Sequence, residues 1–332
     1  MQIMQNRRRF LASASLAGAA GILGTSKSLR ADGPPETTTV RIVKWPGPTV
    51  CEAPKYVAKE LLHAEGITNV VYVEDPTTEG LDFDLGFATS WVSWTDAAPP
   101  DDPWTTLAGL HAGCLQMIAN ESIQTVQDLK GKRVGVDDLS TSSGYLLTTL
   151  MAAYVGLDPK KDIEWVTNED STLVDLFAGG KIDAFLAPPP DPQEVLARKI
   201  GHSILNTTFD APWSQYYCCM MGASNDYLAK YPIATKRVLR SFLKAADICK
   251  SQPAAAVRSL IDNGITDKYD YSLQGLSEIP YGTWREFDPE DTIRFYALRL
   301  QELGFIKSTP EQIIANGTNW TLLNEIKREL KG

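Results

Sequence analysis

Histidine is the scarcest reactive side chain in this 332-residue chain, with only His63, His111 and His202. A histidine-based catalytic apparatus therefore has few places to sit. No Cys-x-x-Cys pair and no Cys/His spacing of the zinc-ligating kind occurs, so no metal site is expected. A P-loop, a dinucleotide-binding glycine pattern and a nucleophile with a neighbouring base are also missing, which argues against an enzyme and against a bound cofactor. No heptads, internal repeats or low-complexity tract stand out beyond Asp32 to Thr39.

Long apolar runs are missing too. Asn6-Arg7-Arg8-Arg9-Phe10-Leu11 precedes an Ala/Gly-rich stretch from Ala12 to Leu23, too short and too small in its side chains to anchor in a bilayer. Basic start, apolar run and polar exit at Asp32 come in the order of an export signal, here with twin arginines, over residues 1–31. No cysteine near its end could take a lipid, so the exported chain is expected to be soluble, with no stable membrane insertion. Beyond the signal, 27 Lys and Arg face 41 Asp and Glu, a formal charge of −14 that argues against a nucleic-acid partner. Cys51, Cys114, Cys218, Cys219 and Cys249 are scattered, and the expectation for all five is a small buried apolar residue. One disulfide remains open, and the odd count leaves at least one thiol free.

What the chain does carry is an alternating strand and helix pattern. Val40 to Lys44 reads as a strand, followed by Trp45-Pro46-Gly47-Pro48 and a helix from Pro54 to Ala64. Val70 to Glu74 and Phe83 to Ala88 are further strands, the second leading into Thr89-Ser90-Trp91-Val92-Ser93-Trp94. Leu107 to Ala119 is one long extended run. Glu164 to Val166 and Ile182 to Leu186 are strands, the latter ending in Ala187-Pro188-Pro189-Pro190-Asp191-Pro192, and another strand lies near Ser203 to Leu205. Helices dominate after Ser224. Ligands of open parallel sheets sit beyond the carboxyl ends of strands, where Trp45, Thr89, Trp91 and Pro188 fall. Each tryptophan could equally be packing.

The organising stretch is Leu129 to Leu157. Arg133 to Val136 suits a buried strand, and Tyr145, Leu146, Leu150, Met151 and Val155 repeat at helical spacing. Between them Ser140, Thr141, Ser142 and Ser143 could cap the helix or seat a carboxylate, sulfonate or phosphate on its unpaired N–H groups. Asp137 and Asp138 beside this turn could instead favour an amine.

Asp128-Leu129-Lys130-Gly131-Lys132-Arg133-Val134-Gly135-Val136 resembles the signature opening the second lobe of periplasmic solute-binding proteins of ABC importers, in the nitrate/sulfonate/taurine and NMT1/THI5-like group. Gly179-Gly180-Lys181-Ile182-Asp183-Ala184 and Tyr231-Pro232 resemble later segments of the same family, over roughly residues 38–332. The resemblance implies an α/β, two-lobed type II fold, with mainly parallel sheets flanked by helices and two extended crossings. Lobe one would hold 38–113 and 222–332, and lobe two 114–221. His111 would lie near a cleft floor, and Trp213, Ser214 and Tyr216 would face the cleft from the second crossing. A monomeric periplasmic protein would capture a small organic solute or oxyanion and deliver it to a membrane permease. A THI5-like pyrimidine synthase or a sensor module is the alternative implied by the same resemblance.

Overall fold

The computed structural model describes residues 32–45, 49–74, 80–98, 103–139, 142–167 and 171–330. The export signal expected over 1–31 lies outside them, as do Ser140, Thr141 and the Ser143 side chain. Two five-stranded sheets organise the described residues. The first contains β1 (Thr39–Val43), β2 (Asn69–Val73), β3 (Phe83–Phe87), β4 (Trp104–Ala112) and β10 (Tyr217–Ser224), in the order β2-β1-β3-β10-β4. The second contains β5 (Gln116–Ala119), β6 (Lys132–Gly135), β7 (Ile163–Val166), β8 (Ala184–Ala187) and β9 (His202–Asn206), in the order β7-β6-β8-β5-β9.

The two sheets repeat one plan. Three parallel strands carry the βα units, and the strand arriving from the other sheet runs antiparallel between the third and the last. This is the two-lobed periplasmic-binding-protein fold. β4 and β10 are buried almost throughout, as strands covered on both faces must be. One apolar cluster runs from Val40 and Ile42 of the first sheet to Val134 and Leu186 of the second, and residues 34–332 form one compact unit.

Helices occupy the expected places with informative exceptions. The helix expected over Pro54 to Ala64 is two pieces, α1 (Ala53–Val57) and α2 (Lys59–Ala64), divided at Ala58. Thr89 to Trp94 belong to α3 (Ala88–Ala97), which leaves β3 directly, with Ala88, Trp91 and Val92 buried at helical spacing. Around the second sheet lie α4 (Ser143–Tyr154), α5 (Leu173–Ala178) and α6 (Asp191–Arg198). The C-terminal helices are α7 (Asn225–Lys230), α8 (Pro232–Ser251), α9 (Pro253–Asp262), α10 (Tyr269–Glu278), α11 (Pro289–Glu302), α12 (Pro310–Gly317) and α13 (Thr321–Glu329). Among the described residues no helix is long and apolar enough to cross a membrane.

The run expected from Leu107 to Ala119 breaks at Gly113, so its halves, β4 and β5, lie in different sheets. The return passes through 207–216, and the expected lobe boundary after Met221 falls inside β10 of the first sheet. The two crossings touch. Thr207 Oγ1 accepts from the backbone N–H of Cys114 (3.0 Å) and Leu115 (2.9 Å) and donates to the Leu115 carbonyl (3.0 Å).

Candidate functional site

The strand ends of the two sheets face each other across a few direct contacts. The Val50 N–H, in the 3-10 turn after β1, donates to the Pro189 carbonyl beyond β8 (3.2 Å). α6 approaches α10, where Gln193 Nε2 donates to Glu278 Oε2 (3.0 Å), and Lys268 Nζ just before α10 pairs with Glu194 Oε2 (2.5 Å). This junction carries partly covered acid. Burial pushes Asp191 up to about 6, with Lys268 opposing and Glu194 and Asp137 adding to the rise. Asp137 is raised by burial and then by Asp138.

On the first-sheet side α1 turns Lys55 fully inward. Its ammonium donates to the Val43 carbonyl (3.0 Å) and Glu52 Oε2 (2.9 Å) and lies 3.8 Å from Asp84 Oδ1. Burial would discharge Lys55, but Glu52 and then Asp84 hold its affinity for the proton above the ordinary value. Asp84, raised to about 6 by burial against the pull of Lys55, accepts from the Trp45 indole N–H (3.2 Å). The result is a partly compensated ionic group beneath an exposed tryptophan.

Next to it lies a group that sequence reasoning missed. Cys51, His111, Cys114 and Cys219 are all buried, and their Sγ atoms and a ring nitrogen of His111 lie within 4.8 Å of one another. They come from the turn after β1, the end of β4, the crossing and β10. Cys51 and Cys219 Sγ are 3.9 Å apart, and Cys218 Sγ lies 3.1 Å from Cys114 Sγ. All five cysteines are free thiols, and Cys249 stands apart in α8. Tyr281 packs edge-on against His111 (centroids 5.0 Å) and donates to the Cys51 carbonyl (2.9 Å). Burial opposes an imidazolium at His111, yet the negative charge of Cys219 draws it up to about 10. Cys219 moves down in turn, through hydrogen bonding with Cys114 first. No linear motif could reveal this set, because only His111 and Cys114 are close in sequence.

The residues expected to hold a ligand do not share one place. Trp45 is on the surface side of a ladder in which Trp94 lies 6.2 Å from Trp45 and 5.3 Å from Trp91. Trp91 is in the core, its indole N–H donating to the Met220 carbonyl (3.0 Å), and Thr89 is buried on the same helix. Core packing, the alternative for any tryptophan, is what the structure gives Trp91. Ser142 caps α4, its Oγ accepting from the Tyr145 N–H (3.3 Å) and donating to the Asp138 carbonyl (3.0 Å). Pro188 sits half-buried at the junction. Trp213 packs between Tyr154 (5.8 Å) and Phe295 (6.0 Å), and Tyr216 stacks on Phe295 at 3.9 Å. Trp213, Tyr154 and Phe295, with Leu150 and Arg299, border a cavity of about 180 Å³ between α4 and α11, while Ser214 is half-buried. His111 belongs to the thiol cluster.

Residues 112–261 match the model of the NMT1-like family. Over that stretch, less than half of its length, the chain is similar to NMT1-like proteins. A protein of Brucella abortus (strain 2308), named as a candidate binding protein, is 28% identical over 142 residues. That alignment covers 43% of this chain and 44% of the relative, so the chain spans less than half the length of the curated relatives it matches. The periplasmic nitrate-binding protein NrtA from Synechocystis PCC 6803 superposes with a TM-score of 0.74 at 14% identity, covering 90% of each chain. The alkanesulfonate-binding protein SsuA from Xanthomonas axonopodis pv. citri, bound to MOPS, gives 0.67 at 14% identity over 86% of this chain and 99% of that one. The desulfurization enzyme DSZB shares the fold as well (0.59, 14% identity, 88% and 99%). The fold is thus shared with binding proteins and with at least one enzyme.

Proposed function

We propose that this chain is the substrate-binding component of an ABC-type importer, exported by the twin-arginine route to the periplasm and handing a small solute to a membrane permease as a monomer. The observation that carries this reading is the match, over 90% of the chain, to the structure of a nitrate-binding protein, with two sheets linked by paired crossings and their strand ends opposed. Such halves can close on a guest where the strands end. Lobe one is then 38–113 with the C-terminal helices, and lobe two is the part between the crossings. Trp45, Ser142 and Pro188, each beyond a strand end, are the residues offered to the solute, with Ser140, Thr141 and Ser143 as further candidates, while Trp213 borders a cavity of its own.

The acids at the junction argue about the guest's charge. Asp137 adds negative charge to the surroundings of Asp191 at the junction, and the Ser142 hydroxyl is already engaged in capping. A neutral or cationic organic solute, amino-pyrimidine or polyamine in kind, fits this better than nitrate, bicarbonate or a sulfonate. Tryptophan fluorescence and thermal-shift titration of residues 32–332 against those classes tests it. Saturable one-to-one binding of an organic solute is expected, weakened by Trp45→Ala. Tight binding of an oxyanion would overturn the charge argument. Catalytic turnover without stoichiometric binding would favour a pyrimidine-synthase-like enzyme instead.

A further inference from the structure

We propose that Cys51, His111, Cys114 and Cys219 form a closed tetrahedral site for a zinc ion, held by three thiolates and one imidazole nitrogen. The site uses different residues from the solute reading and stands whether or not that reading does.

Geometry comes first. Ligands at about 2.3 Å from zinc and at tetrahedral angles have sulfurs about 3.8 Å apart, with a sulfur-to-nitrogen edge slightly shorter. The Cys51 and Cys219 sulfurs already stand 3.9 Å apart, and no pair in the group exceeds 4.8 Å. Completing the tetrahedron takes an inward shift of roughly 1 Å or less, within the reach of side-chain rotation.

The histidine supplies an independent observation. His111 Nδ1 lies 3.0 Å from the Gly113 carbonyl and 3.3 Å from that of Ala112. Carbonyls only accept, so Nδ1 carries the hydrogen. Nε2 is buried with no hydrogen-bond partner. An imidazole fixed through Nδ1–H to a carbonyl leaves Nε2 as the nitrogen that can take an ion, the arrangement by which second-shell contacts orient a metal ligand. Gly113 makes the placement possible by reversing the chain between His111 and Cys114.

Donor chemistry selects the ion. Sulfur and imidazole exclude magnesium and calcium, which take oxygen. Three thiolates with a divalent ion leave one negative charge in a buried place, and with Cu(I) they leave two, a heavier desolvation burden. Four protein donors leave no position open for water or substrate, so the ion braces the structure and carries no hydrolytic chemistry. It ties the turn after β1, the end of β4, the crossing and β10 into one knot. Binding releases the thiol protons to solvent and changes no oxidation state.

The test uses residues 32–332 purified reduced and without oxygen, then titrated with Co(II) and Zn(II). One Co(II) per chain is expected, giving a thiolate-to-cobalt charge-transfer band and the intense visible bands of a tetrahedral centre, both abolished by one equivalent of zinc. Cys219→Ser and His111→Gln should weaken zinc binding more than about 100-fold, since outer-shell partners alone are worth roughly 10- to 100-fold. Cys249→Ser and Cys218→Ser should leave the spectrum unchanged. Weak octahedral bands or no uptake by the reduced wild-type chain would overturn the site, and this reading depends on no variant folding. Loss of the spectrum in Cys218→Ser would show that the donor set is wrong.

Discussion

Gly113 occupies a backbone position that no other residue can share. Its φ is +47°, and a Cβ there would lie 2.4 Å from Thr208 Cα and 2.5 Å from the Thr207 carbonyl oxygen. Both neighbours are backbone and cannot swing aside. Gly113→Ala is expected to cost about 3 kcal/mol or more in urea unfolding, combining left-handed strain with overpacking. Gly131→Ala, at φ +70° with nothing within 4 Å, should cost only about 1 kcal/mol. The comparison separates crowding from conformation. Single residues were also where the sequence was least legible. Burial of the five cysteines followed from their apolar character, but the company of Cys51, Cys114 and Cys219 with His111 depends on strands far apart in the chain. Trp91 falls at a strand end in the sequence because Ala88 reads as the last strand residue, whereas Ala88, Trp91 and Val92 are the buried face of a helix, and of the two roles open to Ser142 the structure shows the cap.

At the level of elements, the crossings depend on Thr207. Its hydroxyl and backbone fasten the return strand to the outgoing one at Cys114 and Leu115. Thr207→Val keeps the shape and strands two buried N–H groups. A loss of about 2–4 kcal/mol is expected from chemical denaturation, the sum of two unsatisfied donors. Faster amide exchange confined to residues 113–116 and 206–208 would locate the damage, and an unchanged exchange pattern would count against the fastening role. Most strands were readable because Val, Ile and Phe runs bounded by polar turns leave few other options. β10 was not, since Tyr-Cys-Cys-Met-Met-Gly-Ala-Ser has neither alternation nor β-branching. Its strand character comes from the slot between β3 and β4, where Gly109 and Gly222 leave room for the Tyr217 and Trp91 rings.

For the whole molecule the pH response follows from the junction of the two halves. Well below pH 4 Asp191 is protonated in folded and unfolded chains alike, so burying it costs no ionisation there. Between about pH 4 and the folded value of about 6 the unfolded chain gives up this proton first, so the stability present in acid is lost across that interval. Asp191→Asn should match the wild type below about pH 4 and exceed it by about 2 kcal/mol at pH 7 to 8. Melting temperatures across that range would check it, and a variant equally stabilised at every pH would refute the titration account. The two-lobed plan was legible from the signature around Gly131 and Gly135 and from the strand-helix alternation. The repetition of one strand order in both sheets was hidden, because equivalent strands share topology without sharing residues. Two covalent straps held to each other by Thr207 and by the Cys114–Cys218 contact also restrict what the halves can do. Sliding one half past the other would break the Thr207 bonds to Cys114 and Leu115, whereas a swing about the line through Gly113 and Thr207 would spare them.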